Sequence, residues 1–326
     1  MPTFLSLLAD RPLPLPGDPR RAEMMLAQAK DTVLAEVMAD PAGNRLLESV
    51  FGNSPFLARS LMREPEFGRL LAFSDPESLF STLIADLHPK ALIPLDEATF
   101  MQTLRVARRR AALLIALADI AGLWPLGQST GALSRFADAA VQGVVAHLLA
   151  GAAARGELEP ADTQDPAPND PARDSGFFVL ALGKLGALEL NYSSDIDLML
   201  LYDQAKVRYI GKRSAQECFV RLARNLVRLM QDLTSDGYVC RVDLRLRPDP
   251  GSTPLAMSAL AAETYYEGMG QNWERAAMIK ARVCAGDAES GGQFLAQLRP
   301  FVWRKHLDFY AIQDIHSIKR QIHAVK

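Results

Sequence analysis

The amino-acid sequence predicts an α+β protein that is predominantly helical, with a small mixed β-sheet flanked by helical segments. From about residue 21 to 150, apolar residues recur at intervals of three and four, as they do in amphipathic helices. A proline-rich acidic stretch follows at 157–174, and beyond it the pattern changes to short apolar runs of strand length. From about residue 258 the helical spacing returns.

Residues 1–156 are the predicted N-terminal helical region. The first 20 residues are rich in proline, which predicts an irregular arm. One helix is indicated by an apolar stripe made of Leu104, Ala107, Ala111, Leu114, Leu117 and Ile120. Breakers divide the remainder into several helices that we expect to pack on one another; they fall at Pro41, Pro55, Pro65, Pro76 and Pro94.

Residues 157–174 hold four prolines and six acidic residues, which predicts a linker or loop. The β-core is predicted over 175–257. Phe177–Leu182 and Ile196–Tyr202 are apolar runs typical of buried strands, and 238–247 is the predicted third strand. Between the second and third strands, Ser214 followed by Glu217 indicates a capped helix start.

Residues 258–326 are predicted to form a C-terminal helical region that packs on the β-core. One helix is expected over 273–283 and another from about residue 309. In the first of these helices Glu274, Met278 and Arg282 would share one face, and an intrahelical ion pair of Glu274 is the favoured interpretation.

Composition narrows the class of protein. A length of 326 residues suggests about two domains, and a net charge of −2 argues against nucleic acid as a partner. The apolar run 111–118 is far short of the ~20 residues that span a bilayer, so we expect no membrane segment. The three cysteines have no metal-ligand spacing, and the N-terminus lacks the pattern of a signal peptide, which together predict a cytoplasmic protein.

The strongest chemical signal is a set of three aspartates on two predicted strands. Asp195 and Asp197 alternate with apolar residues, so their side chains should share a face, and Asp243 lies on the next predicted strand. Clustered carboxylates repel each other unless cations lie between them. Mg²⁺ prefers such oxygen ligands, and two ions about 4 Å apart can organise displacement at phosphorus. A surface turn is the alternative explanation for the aspartate pair.

Glycine and basic residues lie beside these aspartates. Gly183-Lys184 lacks the spacing of a Walker A loop. The glycines fit two interpretations equally well: a tight turn that lets backbone amides approach a phosphate, or a turn that binds no ligand. Arg245 and Arg247 would share the Asp243 face, where they could pair with the acids or bind a phosphate oxyanion.

The segment GKLGALELNYSSDIDLMLLYD (183–203), followed by RVDLRLRP (241–248), resembles the DNA polymerase β-type nucleotidyltransferase superfamily. More narrowly, it resembles the bifunctional glutamine synthetase adenylyltransferase/adenylyl-removing enzymes. Three flanking stretches, at 49–65, 272–282 and 298–322, are similar to the N-terminal, adenylyl-removing half of that family. The resemblance covers most of residues 45–326, and a second catalytic domain of the family is missing, so we expect a fragment or a short form.

The resemblance implies a site and a reaction. The metal-binding and catalytic carboxylates would be Asp195, Asp197 and Asp243, with Mg²⁺, as two ions, as cofactor. Nucleotide and phosphate would contact Gly183, Lys184, Ser194, Arg245 and Arg247. The implied reaction is phosphorolysis of adenylyl-tyrosine on adenylylated glutamine synthetase, which yields ADP and the unmodified enzyme, and the implied partners include a PII signal protein.

Two alternatives stay open at this point. The same site could work in the opposite direction, as an adenylyltransferase that uses ATP, because one transition state serves both directions. A non-catalytic module that docks glutamine synthetase or a PII protein is the second alternative, and the complete set of acids argues against it. A nucleic-acid polymerase relative is disfavoured by the acidic linker and the absence of a long basic stripe.

Overall fold

The computed structural model describes residues 2–159 and 170–303, together with the single positions Gln313, His316, Ser317 and Arg320. The residues described there form two compact units: residues 2–87 with 102–136, and residues 88–101 with 137–303 and those four positions. The middle of the predicted linker (160–169) and most of the predicted terminal helix lie outside the described residues. The domain boundaries drawn from the sequence remain predictions.

The first unit is helical, as the apolar spacing predicts. Pro41, Pro55 and Pro76 are each the first residue of a helix, where the missing N–H costs nothing, and the Asp or Ser before each of them caps the helix. The helices that begin before residue 88 are α1 (Phe4–Leu8), α2 (Pro19–Ala29), α3 (Leu34–Met38), α4 (Pro41–Asn53), α5 (Pro55–Arg63), α6 (Pro65–Ala72) and α7 (Pro76–Ala85). The expectation of an irregular N-terminal arm is wrong for Phe4–Leu8, because Thr3 caps a helical turn there and Phe4 and Leu8 are buried.

Three helices follow, α8 (Pro89–Leu92), α9 (Glu97–Ile120) and α10 (Leu126–Ala154). Helix α10 is long and apolar enough to cross a membrane by length and composition alone. Because 56% of its apolar window is buried inside the protein, it also fits the description of a core helix, and the finding is weak evidence for a membrane span.

The second unit contains a five-stranded mixed sheet, made of β1 (Phe177–Ala181), β2 (Ile196–Tyr202), β3 (Val242–Asp243), β4 (Ala256–Ser258) and β5 (Arg282–Gly286). The order is β3-β2-β1-β5, with β4 also paired to β2. β1 runs antiparallel to β2 and β5, whereas β3 and β4 are parallel to β2. The predicted fold class, α+β and predominantly helical with a small mixed sheet, is therefore confirmed.

Helices cover both faces of this sheet because alternate residues of β1 point to opposite sides. On one side Phe177 stacks on Phe219 of α12 (Ala215–Gln231), which Ser214 caps as predicted. On the other side Phe178 and its neighbours pack against the helices α13 (Ala259–Gly268), α14 (Asn272–Met278) and α15 (Ala288–Gln297). The described part of this unit also has two short helices, α11 (Gly183–Gly186) and α16 (Arg299–Val302).

Two strand predictions need correction. The third strand is only Val242–Asp243, not 238–247, because the Asp243 carboxylate accepts the Arg245 N–H and turns the chain away from the ladder. The region predicted as wholly helical supplies β5, and the helix expected over 273–283 ends at Met278. β5 pairs along β1, which would otherwise present an open edge.

The expected intrahelical ion pair of Glu274 is also wrong. Glu274 is 1% exposed, and its Oε2 accepts the backbone N–H of Gln271 in a capping box. Arg282 lies on β5 and pairs with Asp138 of α10 instead. The change from helix to strand between these residues removes the i, i+8 relation on which the prediction depended.

Candidate active site

Asp197 and Asp243 face each other across the β2–β3 ladder. The two strands are parallel, with Ile196 opposite Val242 and Asp197 opposite Asp243. Asp195 lies two residues before Asp197, just outside β2. The sheet thus brings the three predicted carboxylates, Asp195, Asp197 and Asp243 (the acid triad), to one end of β2.

A glycine makes room for the central carboxylate. Gly183 has φ +55°, and a Cβ added there would overlap Asp197 Oδ2. The Leu182 N–H donates to the Asp197 carbonyl at 2.9 Å, so this contact continues the β1–β2 pairing past the end of β1. Gly183 is needed here for both its backbone conformation and its missing side chain.

Arg245 forms an ion pair with the carboxylate of Asp243. Its Nη2 lies 2.6 Å from Asp243 Oδ2, and its backbone N–H donates to Oδ1 at 2.8 Å. The Asp243 side chain is 16% exposed, whereas the Arg245 side chain is 83% exposed. The hydrogen bond from this guanidinium lowers the pKa of Asp243, against the opposing effect of partial burial.

Asp195 is held by a different arginine. Arg241 Nε donates to Asp195 Oδ1, while its Nη2 donates to the Ser193 carbonyl at 2.6 Å. Arg241 Nη1 also lies 3.3 Å from the Tyr238 hydroxyl. Both outer carboxylates of the acid triad are therefore engaged by guanidinium groups.

The ionised form of Asp197 is disfavoured in this site. Burial raises its pKa, and the charges of Asp243 and Asp195 raise it further. Arg245 and Lys184 act in the opposite direction without cancelling the rise. These interactions show that the acid triad and the two basic residues form one electrostatic group, in which a further cation would be stabilised.

Lys184 reaches the loop that precedes β2 and carries Asp195. Its Nζ lies 3.2 Å from Ser194 Oγ, and Ser194 in turn donates to Asn191 Oδ1 at 2.5 Å. Gly183 and Lys184 begin the short helix α11, which we call the Gly183 turn (Gly183–Gly186). The structure therefore brings Gly183, Lys184 and Ser194 together beside Asp197.

An open cleft of about 520 Å³ adjoins the outer two carboxylates. It is lined by Asp195, Asp243, Arg245 and Arg247, and also by Arg224 of α12. Arg224 belongs to no sequence motif that marks it as a site residue. Its only signal was its place, with Arg221 and Arg228, on a polar face of an otherwise apolar helix.

Arg247 differs from Arg245 in what its guanidinium contacts. Its Nη1 donates to the Leu244 carbonyl at 2.8 Å, and its Nη2 donates to the Pro250 carbonyl at 2.7 Å. These bonds close the loop that follows β3. Arg247 borders the cleft but is bound to backbone, so its predicted contact with phosphate is less direct than that of Arg245.

A second acidic group lies elsewhere in this unit. Ligand oxygens of Asp174, Asp287 and Glu289 lie within 4.8 Å of one another, and among the described residues no other group of three meets that geometry. Lys206 already lies within 3.1 Å of all three carboxylates. Its ammonium group balances the acids, so the arrangement is explained without a metal. The acid triad does not meet that geometry, and two of its carboxylates pair with arginines.

With the geometry established, comparison with known proteins identifies the family. Residues 44–297 match the glutamate-ammonia ligase adenylyltransferase family, which covers more than half of the chain. The chain belongs to this family.

Three relatives are each described as a bifunctional glutamine synthetase adenylyltransferase/adenylyl-removing enzyme. The one from Brucella suis biovar 1 is 45% identical over 319 residues, which are 95% of this chain and 32% of the relative. The Bradyrhizobium diazoefficiens protein is 46% identical over 94% of this chain and 30% of its own length. The Rhizobium meliloti protein is 47% identical over 92% and 30% respectively. The chain thus spans about a third of the length of the curated relatives it matches.

Proposed function

We propose that this chain is an adenylyl-removing nucleotidyltransferase domain that acts on adenylylated glutamine synthetase by phosphorolysis. The observation that carries the proposal is the placement of Asp197 opposite Asp243 at the end of β2, with Asp195 two residues away. The relatives are described as enzymes with both an adenylyltransferase and an adenylyl-removing activity. The flanking stretches at 49–65 and 272–282 resemble the adenylyl-removing half, which favours removal over transfer.

The donor set fits a hard divalent cation, and we propose Mg²⁺ held by Asp195, Asp197 and Asp243. Carboxylate oxygens are the ligands that Mg²⁺ prefers, and a bound cation would offset both the burial of Asp197 and the charges of Asp243 and Asp195, which together raise its pKa. When bound, the cation would supply charge stabilisation to the phosphoryl oxygens. Binding requires the carboxylates of Asp195 and Asp243 to exchange their arginine partners for the cation.

The basic residues would handle the two phosphate groups. Arg245, once released from Asp243, would remain beside the cleft and could bind the attacking inorganic phosphate in a bidentate manner. Lys184 would stabilise charge on the adenylyl phosphate from the Gly183 turn, and Arg224 would add positive charge from α12. Each role follows from the position of the residue beside the carboxylates.

The proposed reaction balances without a further reactant. An oxygen of inorganic phosphate attacks the phosphorus of adenylyl-tyrosine, the bond from that phosphorus to the tyrosine oxygen breaks, and ADP leaves. The proton that inorganic phosphate loses as it becomes the β-phosphate of ADP passes to the phenolate. With a reference pKa near 10, the phenolate is a better leaving group than an aliphatic alkoxide. We further propose a cytoplasmic location and a PII signal protein as regulator.

The direct test is release of ADP from adenylylated glutamine synthetase in the presence of inorganic phosphate and Mg²⁺. We expect the wild-type chain to release ADP in a phosphate-dependent manner and Asp197→Asn to release it about a hundredfold or more slowly. The control Asp174→Asn, which changes one of the three acids that surround Lys206, should leave the rate of ADP release unchanged. Modification of glutamine synthetase from ATP without phosphate-dependent release would instead establish the adenylyltransferase alternative. Binding of glutamine synthetase with neither activity would indicate a docking module.

A further inference from the structure

Arg282 lies behind the Gly183 turn and contacts its backbone. Its Nη2 donates to the Leu185 carbonyl at 2.9 Å. The same guanidinium forms a two-point pair with Asp138 of α10, at 2.8 Å from Nη1 to Oδ2 and 2.9 Å from Nη2 to Oδ1. One side chain on β5 thus joins the turn to a long helix.

The Gly183 turn needs such a contact because it is short. A single helical turn is unstable on its own, since too few hydrogen bonds offset the ordering of its backbone. The Gly186 N–H donates to the Leu182 carbonyl at 2.8 Å, and the Glu189 N–H donates to the Lys184 carbonyl at 2.8 Å. These bonds shape the turn; the Leu182 N–H bond to the Asp197 carbonyl holds the start of the turn, and the Arg282 bond to the Leu185 carbonyl holds its other side.

Close backbone packing links the same turn to the segment that carries Arg282. A Cβ added at Gly186 would overlap the Lys280 carbonyl and approach the Ala181 carbonyl to 2.8 Å. The turn therefore rests directly on the chain that leads into β5. A displacement of Arg282 is expected to displace the turn with it.

The chemistry of the pair favours arginine. The side chains of Arg282 and Asp138 are 26% and 23% exposed, so both charges are largely removed from water. Three donor contacts in a fixed planar fork serve one carboxylate and one carbonyl, which a lysine ammonium cannot reproduce at the same spacing.

We propose that Arg282 is a positioning residue for the candidate site: paired with Asp138, it anchors the Gly183 turn and so fixes Lys184 and the seat of Asp197. The anchoring is independent of the reaction, whereas its effect on phosphate use rests on the proposed function.

The test uses Arg282→Lys, with Gln142→Met as the matched control. Gln142 lies one turn further along α10 and accepts the Gly286 N–H at 2.7 Å, so it supports the other end of the same strand without touching the turn. Hydrogen exchange of the backbone amides is measured over 183–190 and over α12. We expect exchange in 183–190 to be about tenfold faster in Arg282→Lys, with α12 unchanged, since the lost bonds involve a charged donor. Gln142→Met should leave 183–190 protected.

Unchanged exchange over 183–190 in Arg282→Lys would overturn the anchoring. An equal loss of protection over 183–190 in the two variants would overturn it as well, because it would indicate a general weakening of the packing between α10 and β5. The second readout is kcat/KM for inorganic phosphate in the ADP-release assay, where we expect a fall of about tenfold in Arg282→Lys and little change in Gln142→Met. Faster exchange with unchanged kcat/KM would overturn the positioning role. An unmodified chain that releases no ADP would refute the proposed function alone, because the exchange result still decides the anchoring.

Discussion

The replacement Asp197→Asn should make the metal-free protein more stable at neutral pH. Asp197 is partly buried, and its pKa is raised by burial and by the charges of Asp243 and Asp195. Its ionised form is therefore unfavourable in the folded state. Asparagine keeps the shape of the side chain and removes the charge, so the free energy of unfolding should increase.

The magnitude follows from the sheet geometry. Paired strands lie about 4.8 Å apart, and two unit charges about 5 Å apart repel by about 3 kcal/mol at an effective dielectric constant of about 20. Arg245 neutralises much of the Asp243 charge from 2.6 Å, so we expect a net gain of about 1 kcal/mol. This corresponds to a rise in Tm of about 2–4 °C.

Asp243→Asn should have the opposite sign. The pKa of Asp243 is lowered by the Arg245 hydrogen bond, so its ionised form stabilises the fold above the unfolded-state pKa, and that contribution is lost as the pH falls. Because Arg245 is largely exposed, and because the substitution also relieves the repulsion between Asp243 and Asp197, we expect a loss of no more than about 1 kcal/mol. Two residues that face each other in one ladder should thus respond in opposite directions to the same substitution.

Calorimetry in EDTA from pH 3 to 8 checks both signs. The raised pKa of Asp197 means that its penalty is absent below the unfolded-state pKa of about 3.9 and complete above the folded-state pKa, so the gain of Asp197→Asn should grow with pH. Excess Mg²⁺ should reduce the difference in stability between Asp197→Asn and the wild type, because Mg²⁺ binds the native wild type. A destabilised Asp197→Asn, or a gain that persists undiminished at pH 3, would mean that the charge of Asp197 does not destabilise the fold.

Two further predictions concern the immediate surroundings of the acid triad. Gly183→Ala should lower the free energy of unfolding in urea by about 1–3 kcal/mol, because φ is +55° and the new Cβ would overlap Asp197. The control Gly292→Ala, in α15 with open space around its Cα, should be neutral or stabilising, and similar losses in the two variants would show that neither φ nor the overlap matters. Arg245→Ala should bind Mn²⁺ about twofold to fivefold more tightly in a calorimetric titration, because it frees the Asp243 carboxylate. The control Arg224→Ala removes the same charge from the same cleft and should change the Mn²⁺ affinity less. An equal effect in the two variants would show that only the net charge of the cleft matters.

Local sequence patterns were sufficient for the elements whose structure depends on local chemistry. The second strand, Ile196–Tyr202, and the Ser214 cap were predicted at their observed positions, because apolar runs and capping residues act over a few residues. β5 could not be predicted in this way. Its residues follow a helix and are only partly buried, and their strand form depends on pairing with β1, more than a hundred residues earlier in the chain.

The candidate site shows the same division. The spacing of Asp195 and Asp197 predicted a shared location, and the ladder places Asp243 opposite Asp197. The sequence left open whether Arg245 pairs with the acids, and it carried no signal that Arg241 pairs with Asp195, because such pairing depends on how the loops around the strands fold. The contribution of Arg224 to the cleft was likewise hidden, since it depends on how α12 packs on the sheet.

A Mn²⁺ titration followed by electron paramagnetic resonance measures the cation at the acid triad without requiring a protein substrate, so it is the decisive experiment for this site. We expect the wild type to bind Mn²⁺, Asp195→Asn, Asp197→Asn and Asp243→Asn each to weaken binding about tenfold or more, and Asp174→Asn to leave it unchanged. Binding that survives all three triad substitutions, or that is lost in Asp174→Asn, would contradict the account.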